Sequence, residues 1–270
     1  MKNRNKLLKK HLNVDRLISI IVPSRGRKEL IENFLQSIED NTKDKKRVQV
    51  ITVTDVDSIE DTTNILNYYN ENNLTFELYN VVRPRSIYIN DDYYNFAYQL
   101  TNSYFVWGLG NDCKIITKDW DEIFYNKTKP FFQNILENKK YYYIHAYDGM
   151  HKTADEANCF PILSSNYCDK VGEMLPCFFK NWTADTYLWY NVVRKNLDKF
   201  EVIDLIDSIA IEHICHEPLT GPGAHIQTNK YTNDDVHIQL KANNSENIYH
   251  PKYAKSLLSH TQTLDEYYKL

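Results

Sequence analysis

The sequence is poor in glycine, with 7 among 270 residues. Its first strand-like run leads into Pro23-Ser24-Arg25-Gly26-Arg27, where one glycine stands in place of the several that a phosphate-cradling loop needs. Long apolar runs are also missing. Leu17-Ile18-Ser19-Ile20-Ile21-Val22 is far shorter than the roughly 20 residues needed to cross a bilayer. The basic opening MKNRNKLLKKHLNVDR has no apolar segment of the kind that marks a secretory leader, so a soluble, cytoplasmic protein is expected. There is no excess of positive charge. A net charge of -4 and a pI near 6.1 exclude long-range attraction to nucleic acid or anionic lipid as the organising principle, though not a local basic patch. No CxxC pair occurs among the five cysteines, and their odd number points to reduced thiols rather than a disulfide framework.

What is present is ordinary globular material: 42% hydrophobic and 25% charged residues, with 21 tyrosines. RLISIIVPS is a continuous β-branched run, as expected for a strand buried on both faces. In RKELIENFLQSIEDN, Leu30, Ile31, Phe34, Leu35 and Ile38 fall on one helical face. RVQVITVTDVDS predicts a second strand, DTTNILNYYNENN a short helix, TFELYNVV a third strand and DDYYNFAYQLTN a third helix leading to the strand SYFVWGLG. This alternation predicts an α/β domain with a mostly parallel central sheet flanked by helices. The second half is more mixed. YYYIHAYDG and FPILSS predict strands, NYCDKVG a helical turn closed by Gly172, and TADTYLWYNVVRKN a helix with Thr183 as its N-cap. EVIDLIDSIAIEHICHE predicts a strand interrupted near Asp204–Asp207. The remainder divides into a basic extension (1–16), a first half (17–125) and a second half (126–270) without a clear linker.

In a parallel sheet, ligands collect beyond the carboxyl ends of the strands. Ser24-Arg25, Asp55-Asp57 and Asn111-Asp112 each follow a predicted strand, so all three fall on that edge. The glycines of Gly108-Leu109-Gly110 would let the backbone approach a ligand there.

SIIVPSRGRKELIENFLQSI, then VITVTDVDS, then NFAYQLTNSYFVWGLGNDCKIITKDWDE resemble, in order, the opening of GT-A glycosyltransferases: the Pro–Ser strand end, the acidic second strand end and the metal-binding acidic motif. The resemblance covers residues 17 to about 125 and implies a Rossmann-like GT-A single domain, with residues 17–125 binding a nucleotide sugar and 126–270 forming the acceptor half. The acidic motif is reduced here to Gly110-Asn111-Asp112, with one certain carboxylate. By resemblance, Asp112 ligates Mn²⁺ or Mg²⁺, Asn111 assists, and a histidine from the second half completes the set. His213 matches that position first and His216 second, with His225 a weaker candidate. The plainer reading of Asp112 is a turn residue bonded to its own backbone. On one continuous strand, His213 and His216 would face opposite ways.

The same resemblance gives Pro23, Ser24, Arg25, Arg27, Asp55, Asp57, Arg85 and Asn111 to the nucleotide sugar. Carboxylates suit the N–H and O–H donors of base and ribose, and guanidinium forks suit a diphosphate. Either aspartate would serve equally as a cap for the next helix, and each arginine as a solvated surface charge. FPILSSNYCDKVGEMLPCFFKNWTADTYLW resembles the acceptor segment, in which Asp185 corresponds to the catalytic base of inverting members. A carboxylate in a helix's first turn is stabilised as an anion, which opposes that role. Trp182 fits either a sugar-stacking or a core position.

The leading expectation is a metal-dependent hexosyl- or pentosyltransferase that moves a sugar from a nucleotide diphosphate, a UDP-sugar by default, to a hydroxyl acceptor. A glycan, lipid-linked saccharide, protein or modified DNA base would serve as acceptor. The alternatives are a sugar-nucleotidyltransferase, disfavoured by the missing glycine-rich loop, and a catalytically inactive GT-A-like binding module.

Overall fold

A computed structural model describes residues 12–13, 15–86, 88–149, 151–177, 179 and 184–214. Every residue of β2 (Val48–Asp55) is buried, as are the first five of β1 (Ile18–Pro23). Strands with both faces covered need apolar residues at odd and even positions alike, which explains the unbroken β-branched runs. Ile18, Ile20 and Val22 join one core with Phe34, Leu35 and Ile38 of α1 (Lys28–Asn41). Ile21, Ile51 and Val53 join a second core with Tyr93, Tyr98 and Tyr167. The sheet therefore separates two apolar layers.

The chain continues through α2 (Ile59–Glu71), β3 (Glu77–Arg83), a π-helical turn (Asn90–Asn95), α3 (Phe96–Tyr98) and β4 (Phe105–Gly108). It then forms β5 (Cys113–Ile115), α4 (Trp120–Thr128), α5 (Phe132–Leu136), β6 (Tyr141–Tyr147), β7 (Ile162–Ser164), α6 (Ser165–Val171), α7 (Ala184–Tyr187) and β8 (Phe200–His213). The strands form one eight-stranded mixed sheet in the order β3-β2-β1-β4-β7-β6-β8-β5. β3, β2, β1 and β4 are parallel, β7 runs antiparallel to β4 and β6, β8 lies parallel to β6, and β5 pairs antiparallel with β8. The register sets Ile21 beside both Ile51 and Gly108, so the carboxyl ends of the three central strands open onto one edge.

Two expectations about elements need correction. The third helix is not regular: its first part is a π-helical turn, and only Phe96–Tyr98 is α-helical. β8 is not broken near Asp204–Asp207 but runs for 14 residues. Its ladder with β6 instead jumps from Leu205 to Ala210 opposite Ala146–Tyr147, a bulge that lets acidic residues sit within a long strand. Gly172 closes α6 as expected, with φ 82° in the left-handed region. Thr183 lies outside the described residues, and the helix that Asp185 opens is four residues of α-helix passing into a π-helical stretch (Leu188–Val193). Among the described residues, no helix is long and apolar enough to cross a membrane.

Candidate active site

β1, β2 and β4 deliver three loops to the same edge, and ionic contacts stitch those loops together. Arg25, just past β1, reaches Asp55 at the end of β2 with Nη1 2.8 Å from Oδ2. It also donates to Asp57, at 2.6 Å from Nη1 and 3.3 Å from Nη2. This pairing raises the Arg25 pKa and lowers that of the Asp57 carboxyl, in both cases chiefly through the shared hydrogen bond. Arg85, past β3, places Nη1 3.7 Å from Asp57 Oδ2, an oxygen it shares with Arg25. Tyr93 Oη donates to the buried Asp55 carboxylate. Neither Asp55 nor Asp57 caps α2, whose N-cap position is Ser58.

The β1–α1 loop is held from a second direction. Asp61, buried in the first turn of α2, accepts from the Gly26 N–H at 2.9 Å and from Ser58 Oγ at 2.5 Å. Gly26 has φ +60°, which a side chain would strain. Asp61 is thus what fixes the loop bearing Arg25 and Arg27.

Asp112 sits in the turn between β4 and β5. Its Oδ2 accepts from Arg27 Nη1 at 3.0 Å, and its Oδ1 faces His213 Nε2 at 3.5 Å. Asn111 bridges the same turn to β1, donating to Ser24 Oγ at 3.1 Å and accepting from Arg27 at 3.4 Å. His213 arrives because Cys113 and His213 are register partners of the β5–β8 ladder, reinforced by Ile214 N donating to the Asp112 carbonyl at 2.9 Å. Asp112, Cys113 and His213 offer ligand atoms within 4.8 Å of one another. For neighbouring ligands of an octahedral ion at about 2.1 Å, a separation of about 3 Å is required. The Asp112–His213 spacing is close to that, so these two side chains fit a divalent cation. His216 and His225 lie outside the described residues, as does Trp182.

The glycines beside Asp112 are required by the protein's own packing. A Cβ on Gly108 would lie 2.8 Å from Met174 Cε and 3.1 Å from Tyr94 Cε1. A Cβ on Gly110 would collide with the Asp112 carboxylate. The protein's own side chains take the space. Tyr94 also braces the turn by donating to the Leu109 carbonyl at 3.0 Å. Burial, helped by nearby Cys113 and Asp112, raises its phenol pKa and keeps it protonated.

Asp185 corrects one inference from sequence. Its pKa is raised, because burial outweighs the hydrogen bonds from backbone N–H groups at the helix start and the nearby His151. The shift runs in the direction that strengthens a carboxylate as a base.

Sequence reasoning missed Asp61, Tyr93 and Tyr94, all of which support the loops. It also missed a cluster past β6 in which Asp148, His151 and Cys159 converge.

No protein-family model and no curated protein matches this sequence. Solved structures do. A mannosyltransferase from Pyrobaculum calidifontis, determined in complex with GDP-Man and Mn²⁺, superposes with TM-score 0.53 at 13% identity, covering 98% of this chain and 77% of that one. S. aureus TarS 1-349 superposes with TM-score 0.48 at 15% identity, covering 69% and 58%. Glucosyl-3-phosphoglycerate synthase from Mycobacterium tuberculosis, in complex with Mn²⁺, UDP and glucosyl-3-phosphoglycerate, does so with TM-score 0.47 at 13%, covering 78% and 75%. This chain spans less than two thirds of the TarS structure's length. The single α/β domain with its mixed sheet has the GT-A glycosyltransferase fold.

Proposed function

We propose that the protein is a nucleotide-sugar glycosyltransferase dependent on a divalent cation, with residues 17–125 holding the donor and 126–270 the acceptor. One observation carries this reading: β5 and β8 bring Asp112 and His213, far apart in sequence, to 3.5 Å beside the ends of β1 and β2. When bound there, Mn²⁺ or Mg²⁺ supplies positive charge to the departing nucleoside diphosphate. Asp112 and His213 hold it, with the Asn111 amide oxygen alongside. Arg27 contributes a guanidinium at the same point, suited to phosphate oxygens. Asp55 and Asp57 fix Arg25 and Arg85 at the rim, and Pro23 and Ser24 form the floor at the end of β1. Base and ribose donors reach the remaining acceptor positions of the two carboxylates. The donor is a UDP-sugar by default.

On the acceptor side, Asp185 takes the proton of the attacking hydroxyl. A new bond to the anomeric carbon forms as the bond to the diphosphate breaks on the opposite face, inverting the configuration. The raised Asp185 pKa supports this role.

A thermal-shift panel of nucleoside diphosphates and their sugars, with and without Mn²⁺, tests the donor site. The expected result is a rise that requires metal and is abolished in Asp112→Ala, accompanied by donor hydrolysis or transfer. Metal-dependent binding without turnover would indicate an inactive binding module, and no nucleotide binding would refute the reading.

A further inference from the structure

Between β6 and β7 the chain leaves the sheet, and three side chains of different donor type meet in that connection. Asp148, its side chain 1% exposed, supplies a carboxylate, His151 an imidazole and Cys159 a thiol, with ligand atoms all within 4.8 Å of one another. Gly149, with φ +87° in the region that favours glycine, turns the chain so that His151 N donates to Asp148 Oδ1 at 2.8 Å. Asp148 Oδ2 accepts from Cys159 N at 2.9 Å. One buried carboxylate therefore holds the backbones of both other residues, the kind of supporting hydrogen bond that orients metal ligands.

Two of the three residues are fixed, and the third has room to move. Cys159 lies between Asn158, itself 1% exposed, and Phe160. Asn158 Nδ2 donates to the Ala146 carbonyl at 2.7 Å, and its Oδ1 accepts from Phe160 N at 2.7 Å. Trp107 Nε1 on β4 donates to the Phe160 carbonyl at 2.9 Å. The His151 side chain is 24% exposed, so its ring can turn. Its Nδ1 stands 2.6 Å from Asp148 Oδ2 and 4.0 Å from Cys159 Sγ. On a tetrahedral ion, oxygen and nitrogen ligands stand about 3.4 Å apart, and nitrogen and sulfur about 3.6 Å. Swinging Nδ1 from the carboxylate towards the sulfur, by less than about 1 Å, lengthens the first spacing and shortens the second together.

We infer that Asp148, His151 and Cys159 form a zinc site through Oδ2, Nδ1 and Sγ, with water from the exposed side of His151 as the fourth ligand. A set containing a thiolate suits zinc and disfavours Mg²⁺ and Mn²⁺. On binding, the thiol gives its proton to solvent, and the imidazole carries its own on Nε2. Before the ion arrives, burial and then the Asp148 charge raise the thiol pKa and keep it protonated, so the ion itself drives that loss. This site shares no ligand with Asp112 and His213, yet it adjoins them. The Phe160 ring lies 5.0 Å from the His213 ring, and a Cβ on Gly149 would lie 3.8 Å from His213 Cβ. Zinc would clasp the connection that backs His213. The assignment does not depend on the transferase reading.

The full chain, stripped of metal by a chelator, is titrated with Co²⁺ as a spectroscopic substitute and then with competing Zn²⁺. Wild type should show a thiolate-to-cobalt charge-transfer band with the visible bands of a four-coordinate ion, and Zn²⁺ should bleach both. Cys159→Ser should abolish the charge-transfer band, whereas Asp112→Ala should keep it. His151→Gln, at a part-exposed side chain, tests the site even if Cys159→Ser does not fold. It should weaken Zn²⁺ binding by more than about 10-fold, the least that losing even a ligand's supporting partner costs. No band in wild type, the result expected of a plain Asp148–His151 hydrogen bond, overturns the site. So does a band that survives Cys159→Ser or vanishes in Asp112→Ala, or an unchanged Zn²⁺ affinity in His151→Gln. Failure of nucleotide binding or transfer would leave the zinc result standing, so the two readings fail separately.

Discussion

Replacing Gly110 with alanine separates function from folding. The added Cβ meets only side chains within 4 Å: the Asp112 carboxylate first, with Cys113 Sγ beyond it at 3.8 Å. Its closest contact is the free end of a side chain, so the clash is relieved by turning Asp112 rather than moving the sheet. The backbone at Gly110 is not in the left-handed region, so alanine brings no conformational strain. Stability should change by less than about 1 kcal/mol, the scale of a glycine-to-alanine change at a tolerant position. At about 2–4 °C per kcal/mol for a chain of this size class, the apo midpoint should move by only a few degrees. The cost falls instead on Asp112 Oδ1, the atom the Cβ would displace and the one that faces His213, while Oδ2 keeps Arg27. Misdirecting a metal ligand's surroundings costs about 10- to 100-fold in affinity, equivalent to about 1.4–2.7 kcal/mol. Calorimetric titration of Mn²⁺ in the presence of nucleoside diphosphate, beside apo thermal melts of both proteins, provides the assay. The expected outcome is a weakened Kd with a nearly unchanged melt. A variant that binds Mn²⁺ as tightly as wild type would refute the assignment of Asp112, and one that unfolds would refute the packing argument.

Asp185→Asn should abolish transfer yet raise the melting midpoint at neutral pH. Folding raises this carboxyl's pKa, so its ionisation opposes folding above the unfolded pKa, and the advantage of asparagine should shrink as pH falls below the folded pKa. His145, 0% exposed against Tyr143 and Trp189, has its pKa lowered by burial to about 4 from 6.5. The stability linked to its neutral form is complete above the unfolded pKa and lost between pH 6.5 and about 4, a loss of up to about 3 kcal/mol. Denaturant melts of His145→Phe should lack that component of the acid limb, and an unchanged limb would refute it. Asp61→Ala should destabilise by about 1–3 kcal/mol through its two lost partners. It should also weaken nucleotide binding by freeing the Arg25–Arg27 loop; unchanged binding would show that the loop holds itself.

The fold was most legible where burial forces the sequence into a pattern. β1 and β2 lie inside both layers, so every position had to be apolar or fully bonded, and continuous β-branched runs followed. The strand-end residues were readable because parallel topology puts all such ends on one edge. The pairing of Arg25 with Asp55 and Asp57 was not readable, since it depends on distances between loops. Nor was the packing of Gly110, where an added Cβ would collide with the Asp112 side chain. At Asp185 the helix-start effect was readable, but the burial that outweighs it depends on tertiary packing and was not. Asp148 and His151 carry a local signal, an acidic residue three positions before a histidine at a strand end. In a polar stretch that spacing is common, and only the convergence of Cys159 distinguishes it.

The ladder that joins Cys113 to His213 has a consequence during synthesis. β1, β2 and β3 can pair as soon as they emerge, because each neighbours the strand made just before or after it, and β4 then joins the free side of β1. β5 must wait for the last residues of β8, a closure over a long loop whose entropy is compensated only when the strands meet. A nascent chain stopped before residue 213 would hold the arginine and aspartate loops but lack the imidazole. On the proposed assignment of Asp112 and His213, metal capture there would wait for residue 213, so shorter nascent chains should not sequester the cation.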